Sequence, residues 1–448
     1  MDLQNPSDNF FGLRKAYFGF LILVVVVLAV SMNIAWINPR PEYEVVKNPK
    51  IPLGWQYDLD SGMNLLTATY FPEYFVYNAQ RISRPFSYMM AHLLGASIQL
   101  AAKPFAVVSP LVATAAGFIA LKIFVYLSAA ILFYHLLLFY MPPLAAFLAA
   151  GFLLTQHYSI TYITTFGETD AQWMNPIFIG FLFHHLCRNY SHGKNIIFSM
   201  VLGVLMLTKQ NYAMYIAIVF WSLWQKRYKE CALSLAAYCV PYLLWRGYVA
   251  QQGILYFNPQ ITMEHYGMGY FKEVLATGPF SAAQIVLVSF KDFLTSCLHL
   301  YNIPLILLLI SFNKFRARFG NKLFVFFGLF VFSTWIQFFA TRKVLNTVMV
   351  GDFSLFIWGL GALAIYELFS NYEPKKQSRI AYSILFVWFT FSLLSLANFP
   401  WIAPKDQKEH VMPKSYLAPD APVPTYQWFP DRFEQAGATN PTAPQVKE

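Results

Sequence analysis

Long apolar runs separated by short polar turns fill most of the chain, and each run is about 15 to 25 residues, the length an α-helix needs to cross the hydrocarbon of a bilayer. The pattern predicts helices over Tyr17–Ile37, Leu111–Tyr140, Leu144–Thr155, Trp173–Cys187, Ile196–Leu207, Tyr212–Trp224, Cys231–Val249, Cys297–Phe312, Leu323–Phe339, Leu345–Phe369 and Ile380–Ala397. Phe86–Ala102 either lies along the outer interface or crosses and returns through Lys103-Pro104. The expected fold class is therefore an all-α polytopic membrane protein with about eleven crossings, or up to about thirteen if that stretch enters the bilayer.

Domain organisation follows from the same pattern. Residues 1–397 form one transmembrane body with outer loops at 38–110 and 250–296, and residues 398–448 form a tail outside the cytoplasm. The tail carries Pro400, Pro404, Pro413, Pro419, Pro422, Pro424, Pro430, Pro441 and Pro444, a spacing that favours extended chain over helix. The first apolar run lacks a small-x-small cleavage pattern before Asn38-Pro39-Arg40-Pro41, so it reads as an uncleaved first span.

Charge sets the expected orientation. Arg14 and Lys15, the turn with Arg188 and Lys194, then Lys226, Arg227 and Lys229, then Lys314, Arg316, Arg318 and Lys322, then Lys375, Lys376 and Arg379 fall on one side if the helices alternate, and that side is the cytoplasm. The net charge of +10 is thus a topology signal and a means of touching anionic lipid, with no nucleic-acid partner expected. Cys187, Cys231, Cys239 and Cys297 sit in or beside apolar runs, as packing thiols do. Composition agrees with this class: 57% of residues are hydrophobic and 12% charged.

Some chemistry is excluded. The chain has no Gly-x4-Gly-Lys-Ser/Thr loop, and Gly267-Met268-Gly269 lacks the third glycine and the strand of a dinucleotide fold. No organic cofactor is expected. The histidines are scattered with no His-Glu-x-x-His helix, which leaves metal use undefined. Acids and bases do gather on the expected outer side, as Asp58, Asp60, Glu168 and Asp170 with Lys209 at a helix mouth, and ionic groups at the hydrocarbon edge call for pairing, water or use.

Two stretches carry a family resemblance. Tyr57-Asp58-Leu59-Asp60-Ser61-Gly62-Met63-Asn64 leads into a short helix and then Arg81-Ile82-Ser83-Arg84-Pro85-Phe86; later, Thr165-Phe166-Gly167-Glu168-Thr169-Asp170 opens a span that is followed by Gly203 to Thr208-Lys209. Over residues 17 to 245 this order resembles the multi-spanning glycosyltransferases of the GT-C fold, which take sugar from a polyprenyl phosphate carrier. The resemblance implies short interfacial helices in the first outer loop. It also implies a lipid-linked sugar donor, a glycan, lipid or protein acceptor, and an active site facing out of the cytoplasm, as in a bacterial inner membrane.

Within that resemblance the acids and cations divide the work. A carboxylate near the acceptor hydroxyl takes its proton, and cations stabilise the departing phosphate. Asp60 is the expected base, Asp58 its support through a hydrogen bond or a shared divalent ion, and Asp170 and Glu168 further catalytic candidates. Lys209 and Arg84 are expected on the donor phosphate, with Arg342 and Lys343 as a second pair in an outer turn where the charge rule disfavours them.

Plainer roles exist for each of these residues. Asp60 and Asp170 suit helix caps, Lys209 suits a snorkelling anchor, and Arg342 and Lys343 suit lipid headgroups. The aromatic run Tyr70-Phe71-Pro72-Glu73-Tyr74-Phe75 suits an interfacial belt. Other function classes are an envelope polysaccharide polymerase or ligase and a transporter; for the transporter the ionisable residues inside spans are Lys122, His135, His184 and His185.

Overall fold

The computed structural model describes residues 13–37, 44–47, 54–57, 59–72, 75, 82, 84–156, 159–160, 163, 173–188, 190–208, 212–252, 274–341 and 354–397. These residues are helical apart from turns and one short antiparallel pair, β1 (Glu44–Lys47) with β2 (Gly54–Tyr57), in the register Glu44↔Tyr57. The helices are α1 (Leu13–Ile37), α2 (Leu59–Thr69), α3 (Pro85–Ala102), α4 (Pro110–Leu138), α5 (Pro143–Thr155), α6 (Met174–Arg188), α7 (His192–Met206), α8 (Tyr212–Trp224) and α9 (Tyr228–Gln251). They continue as α10 (Pro279–Ile310), α11 (Phe312–Phe319), α12 (Asn321–Thr341), α13 (Ser354–Glu367) and α14 (Pro374–Ala397).

Proline sets many of these beginnings. Its fixed φ and missing N–H suit the first helical turn, and it occupies that place in α3, α4, α5 and α10. At α4 the Ser109 hydroxyl adds a cap, accepting from the Val112 N–H at 3.3 Å.

Among the described residues, three helical segments are long and apolar enough to cross a membrane: Leu13–Asn33, Pro110–Leu138 and Pro279–Leu298. Other apolar helices are shorter; α5, with 13 residues, rises only about 20 Å against a hydrocarbon core of about 30 Å. Apolar side chains also cover the outside of the bundle, with Phe18 64% exposed and Phe386 70% exposed. Such a surface is compatible with lipid as its solvent.

α10 departs from the expected elements. It begins at Pro279, inside the stretch expected as an outer loop, and runs through a kink at Asn302, whose φ of 44° and ψ of −121° interrupt the helix. Lys291 and Asp292 break the hydrophobic run and hide the helix from a hydropathy reading, yet their carbonyls are used within it: Thr295 and Ser296 donate to them at 2.9 and 2.8 Å. Gly361 of α13 meets the kink, since a Cβ there would lie 2.6 Å from Pro304 Cβ.

Two apolar clusters hold the fold. The larger surrounds α5, which is buried from Leu144 to Thr155 and packs on α1, α4, α13 and α14. Ala145, Ala146, Ala149, Ala150 and Gly151 keep that helix thin enough for four neighbours. The second cluster joins α2, α3, the first half of α4 and the end of α9 through Leu65, Tyr88, Phe118 and Val249.

The stretch Phe86–Ala102 falls within α3. α3 runs lengthwise and antiparallel beside the first half of α4, and the two backbones touch at small residues. A Cβ on Gly95 would lie 2.7 Å from Thr114 Cα, and one on Gly117 would strike the Ala91 carbonyl oxygen. Gln99 closes the far end by donating to the Val108 carbonyl at 3.0 Å.

Candidate functional site

Two hydrogen bonds fix how α2 and α3 lie together. The Tyr88 hydroxyl donates to Asn64 Oδ1 at 2.8 Å, and the His92 Nδ1–H donates to the Ala68 carbonyl at 2.9 Å. Both join residues 24 apart, so a step of one turn along one helix matches a step of one turn along the other, and the helices run parallel. Stepping back one turn from Asn64 and Tyr88 reaches Asp60 and Arg84.

α4 brings a third residue to this level. Phe118 packs edge-on against Tyr88, with ring centroids 6.5 Å apart, and α4 is antiparallel to α3. The close backbone contacts of Gly95 with Thr114 and of Gly117 with Ala91 set the register, and they bring Lys122 opposite the first turn of α3, near Phe86 and Ser87. Lys122 is 1% exposed. It sits between Phe118 of the smaller cluster and Tyr126 of the larger one, where the two cores meet.

The end of α7 arrives at the same place. The Phe86 N–H donates to the Leu207 carbonyl at 3.1 Å, so the turn that begins α3 abuts the turn that ends α7. Arg84, half-buried, is the residue before α3, and Thr208 is buried directly after Leu207. Lys209 follows Thr208 in the chain and lies outside the described residues.

A polar seam continues from α4 toward the connection between α5 and α6. The Tyr126 hydroxyl donates to the Ser159 carbonyl at 3.4 Å, Ser159 Oγ donates to the Leu153 carbonyl at 2.6 Å, and Gln156 Nε2 donates to Ser159 Oγ at 3.0 Å. Ser31 of α1 secures the next residue by donating to the Ile160 carbonyl at 2.7 Å. Every one of these polar side chains is buried and satisfied.

The predicted residues divide as follows. Asp60 and Arg84 stand at one level of neighbouring helices. Asp58, Glu168, Asp170, Lys209, Arg342 and Lys343 lie outside the described residues. α2 begins at Leu59, so Asp60 falls inside its first turn and Asp58 is the residue that precedes the helix.

Sequence reasoning assigned Lys122 no part in this site. The available signal was a lysine in the middle of a 29-residue apolar helix, and an intramembrane charge is functional by default. Asn64 and Tyr88 carried no signal at all. The aromatic run also changes meaning: Phe75 is buried, and Phe71 and Phe75 pack on Trp245 with centroids 6.4 and 5.8 Å away. Trp245 donates to the Ile82 carbonyl at 2.6 Å, so Phe71, Phe75 and Trp245 form an aromatic cluster beside α2 and α3. Burial also pushes the Tyr70 phenol above its ordinary value.

Among the described residues no three His, Cys, Asp or Glu side chains converge as metal ligands. The arrangement sets Arg84 beside a carboxylate-bearing turn at the start of α3. An almost wholly apolar crevice lined by Leu136, Leu137, Tyr140, Phe183, Phe356 and Leu360 lies at the other end of α4. Comparison with family models, with curated proteins and with solved structures finds no match for this chain.

Proposed function

We propose that the protein is a GT-C-like glycosyltransferase of the membrane, probed best as an enzyme that moves sugar from a polyprenyl-phosphate donor to a lipid, glycan or protein acceptor. The carrying observation is the convergence of the Asp60 turn, the Arg84 turn and the Leu207-Thr208 end that leads into Lys209. Acid, arginine and lysine are the three groups this chemistry requires, and they come from three separate parts of the chain.

In this proposal Asp60 takes the acceptor hydroxyl proton as the acceptor oxygen bonds to the anomeric carbon. The bond from that carbon to the phosphate oxygen breaks, and polyprenyl phosphate leaves with the electron pair. Arg84 and Lys209 stabilise the growing phosphate charge, Arg84 as a fork and Lys209 as a point charge. Asp58, Asp170 and Glu168 support the base from the same side, and Arg342 and Lys343 hold the carrier phosphate nearer the lipid. The site faces out of the cytoplasm across about eleven crossings, with the basic turns inside.

Lys122 also favours a second reading, because a buried charge within an apolar helix is what a transporter uses to carry an ion or solute. One experiment separates them. Purified protein in nanodiscs is given isotopically labelled sugars on polyprenyl phosphate, in a panel of donors; transfer of label to an acceptor with release of polyprenyl phosphate supports the enzyme. Proteoliposomes that accumulate solute while no donor in the panel is consumed would support the transporter.

A further inference from the structure

We propose that the apolar crevice at the far end of α4 holds an acyl chain of an anionic membrane phospholipid, with Arg188 and Lys322 on its phosphate. This site is separate from the Asp60 and Arg84 turns, and it does not rest on the transferase reading.

The crevice suits a hydrocarbon chain. It lies between the last turns of α4, the middle of α6, the corner from α11 to α12 and the first half of α13, and it encloses about 470 Å³ with its open mouth included. That size is in the range of ligand sites. Gly180 and Gly359 make room on its walls for leucine methyls, since a Cβ there would lie 2.5 Å from Leu136 Cδ2 and 2.9 Å from Leu137 Cδ2. Among the lining residues Tyr140 alone carries a hydroxyl, and that group is engaged with His184 Nδ1 at 2.8 Å. A polar ligand would give up its water there with no hydrogen bond in return, whereas methylene groups lose nothing.

Charge stands beside this apolar space. Lys322 is exposed at the start of α12 and immediately precedes Leu323, a lining residue. Arg188 is exposed at the end of α6 and lies over the ring of Tyr140, another lining residue, 5.9 Å from its centroid. Both cations, with Arg227, are within electrostatic reach of Cys187, so two separate helices bring them to one corner of the crevice. Their basic neighbours have other partners. Lys314 and Arg318 both bind Glu367, at 2.7 and 3.0 Å, and Arg227 donates to the Leu186 carbonyl.

An apolar space flanked by two exposed cations matches an amphiphile with a hydrocarbon tail and an anionic head. A phospholipid is the amphiphile at hand, because the apolar outside of the bundle is suited to lipid as solvent. Arg188 offers a fork to the phosphate oxygens and Lys322 a point charge. A net-negative head is favoured over a zwitterionic one, since a choline ammonium would bring a like charge toward both cations.

Native mass spectrometry of the full chain in detergent counts bound lipid directly. One dioleoyl phosphatidylglycerol should be retained per chain at concentrations about 10-fold below those needed for dioleoyl phosphatidylcholine. Arg188→Gln combined with Lys322→Gln should weaken retention of phosphatidylglycerol by about 10-fold or more and remove the preference, as loss of charge-assisted hydrogen bonds does. Both residues are exposed, so the double variant should melt like wild type without lipid. Lys375→Gln combined with Lys376→Gln, in another basic turn, should leave retention unchanged; an equal loss there would reduce the effect to a diffuse surface field and overturn the site. Equal retention of the two lipids by wild type would overturn it too. Glycerophosphoglycerol, the headgroup without chains, should not compete, and competition at the lipid's own concentration would make this a site for soluble phosphate. The chain has its own arm: dihexanoyl phosphatidylglycerol should bind about 10-fold or more weaker than the dioleoyl form, because it buries fewer methylenes. Equal binding of the short and long chains would mean that the crevice holds no acyl chain.

Discussion

The two ends of α4 are built from different materials. Its first half, down to Lys122, faces α2 and α3, with a carboxylate-bearing turn, an arginine turn and a buried lysine at one level. Its last turns face α6, where Phe139 stacks on His184 at 4.2 Å and the Tyr140 hydroxyl hydrogen-bonds to His184 Nδ1 at 2.8 Å. There Arg188 lies over the Tyr140 ring and Arg227 donates to the Leu186 carbonyl. Cations at this second end meet rings and carbonyls. At the first end a buried lysine and an arginine turn lie beside an acid-bearing turn.

The largest expected effect breaks the first end. Asp60→Asn should reduce labelled-sugar transfer by about 10²–10⁴-fold, since the amide cannot take the acceptor proton. Wild-type turnover in that variant would move the base to Asp58 or Asp170. Next, Lys209→Met and Arg84→Met should each reduce turnover by about 10²-fold through loss of a preorganised charge, whereas a snorkelling Lys209 would tolerate methionine.

The next two variants act on the scaffold. Gly117→Val drives a side chain into the Ala91 carbonyl and should destabilise the α3–α4 pair by about 1–3 kcal/mol, seen as a lower melting temperature and a weaker site. Tyr88→Phe removes the donor to Asn64 and should cost about 1–3 kcal/mol by leaving a buried amide oxygen without it. The smallest effect belongs to the other end: Tyr140→Phe should lower stability by about 1 kcal/mol and leave transfer unchanged. A transfer defect in Tyr140→Phe matching that of Tyr88→Phe would erase the contrast between the two ends.

Much of the helical framework was legible in the sequence because hydrophobic runs and initiating prolines are local signals. α8 falls on its expected bounds, and α4 and α5 begin one residue before theirs, at Pro110 and Pro143. The first half of α10 was hidden because Lys291 and Asp292 lower the local hydropathy, although a helix accommodates both. The lengths of the apolar helices were legible too, but whether α5, α7 or α8 crosses a membrane depends on neighbours that complete a path too long for a single short helix.

The candidate site was legible only as residue types. Asp60 and Arg84 stood out as charges near a helix start, while their common level depends on Asn64 and Tyr88, two ordinary residues whose hydrogen bond joins helices 24 residues apart. Lys122 was visible as a charge in an apolar run, yet nothing in its own neighbourhood of sequence names the helix that packs against it. Long-range register is a property of packing, and it appears only when α2, α3 and α4 are together.

Cross-linking reads that register directly. With Cys187, Cys231, Cys239 and Cys297 replaced, paired cysteines at Asp60 and Arg84 should be joined efficiently by a short bifunctional thiol reagent, and cysteines at Asp60 and Ala102 should not, since the end of α3 lies about 25 Å from its first residue along the helix axis. Efficient joining of 60 to 102 with none of 60 to 84 would mean that α2 and α3 run in opposite directions and that the acid and the two cations do not share a level.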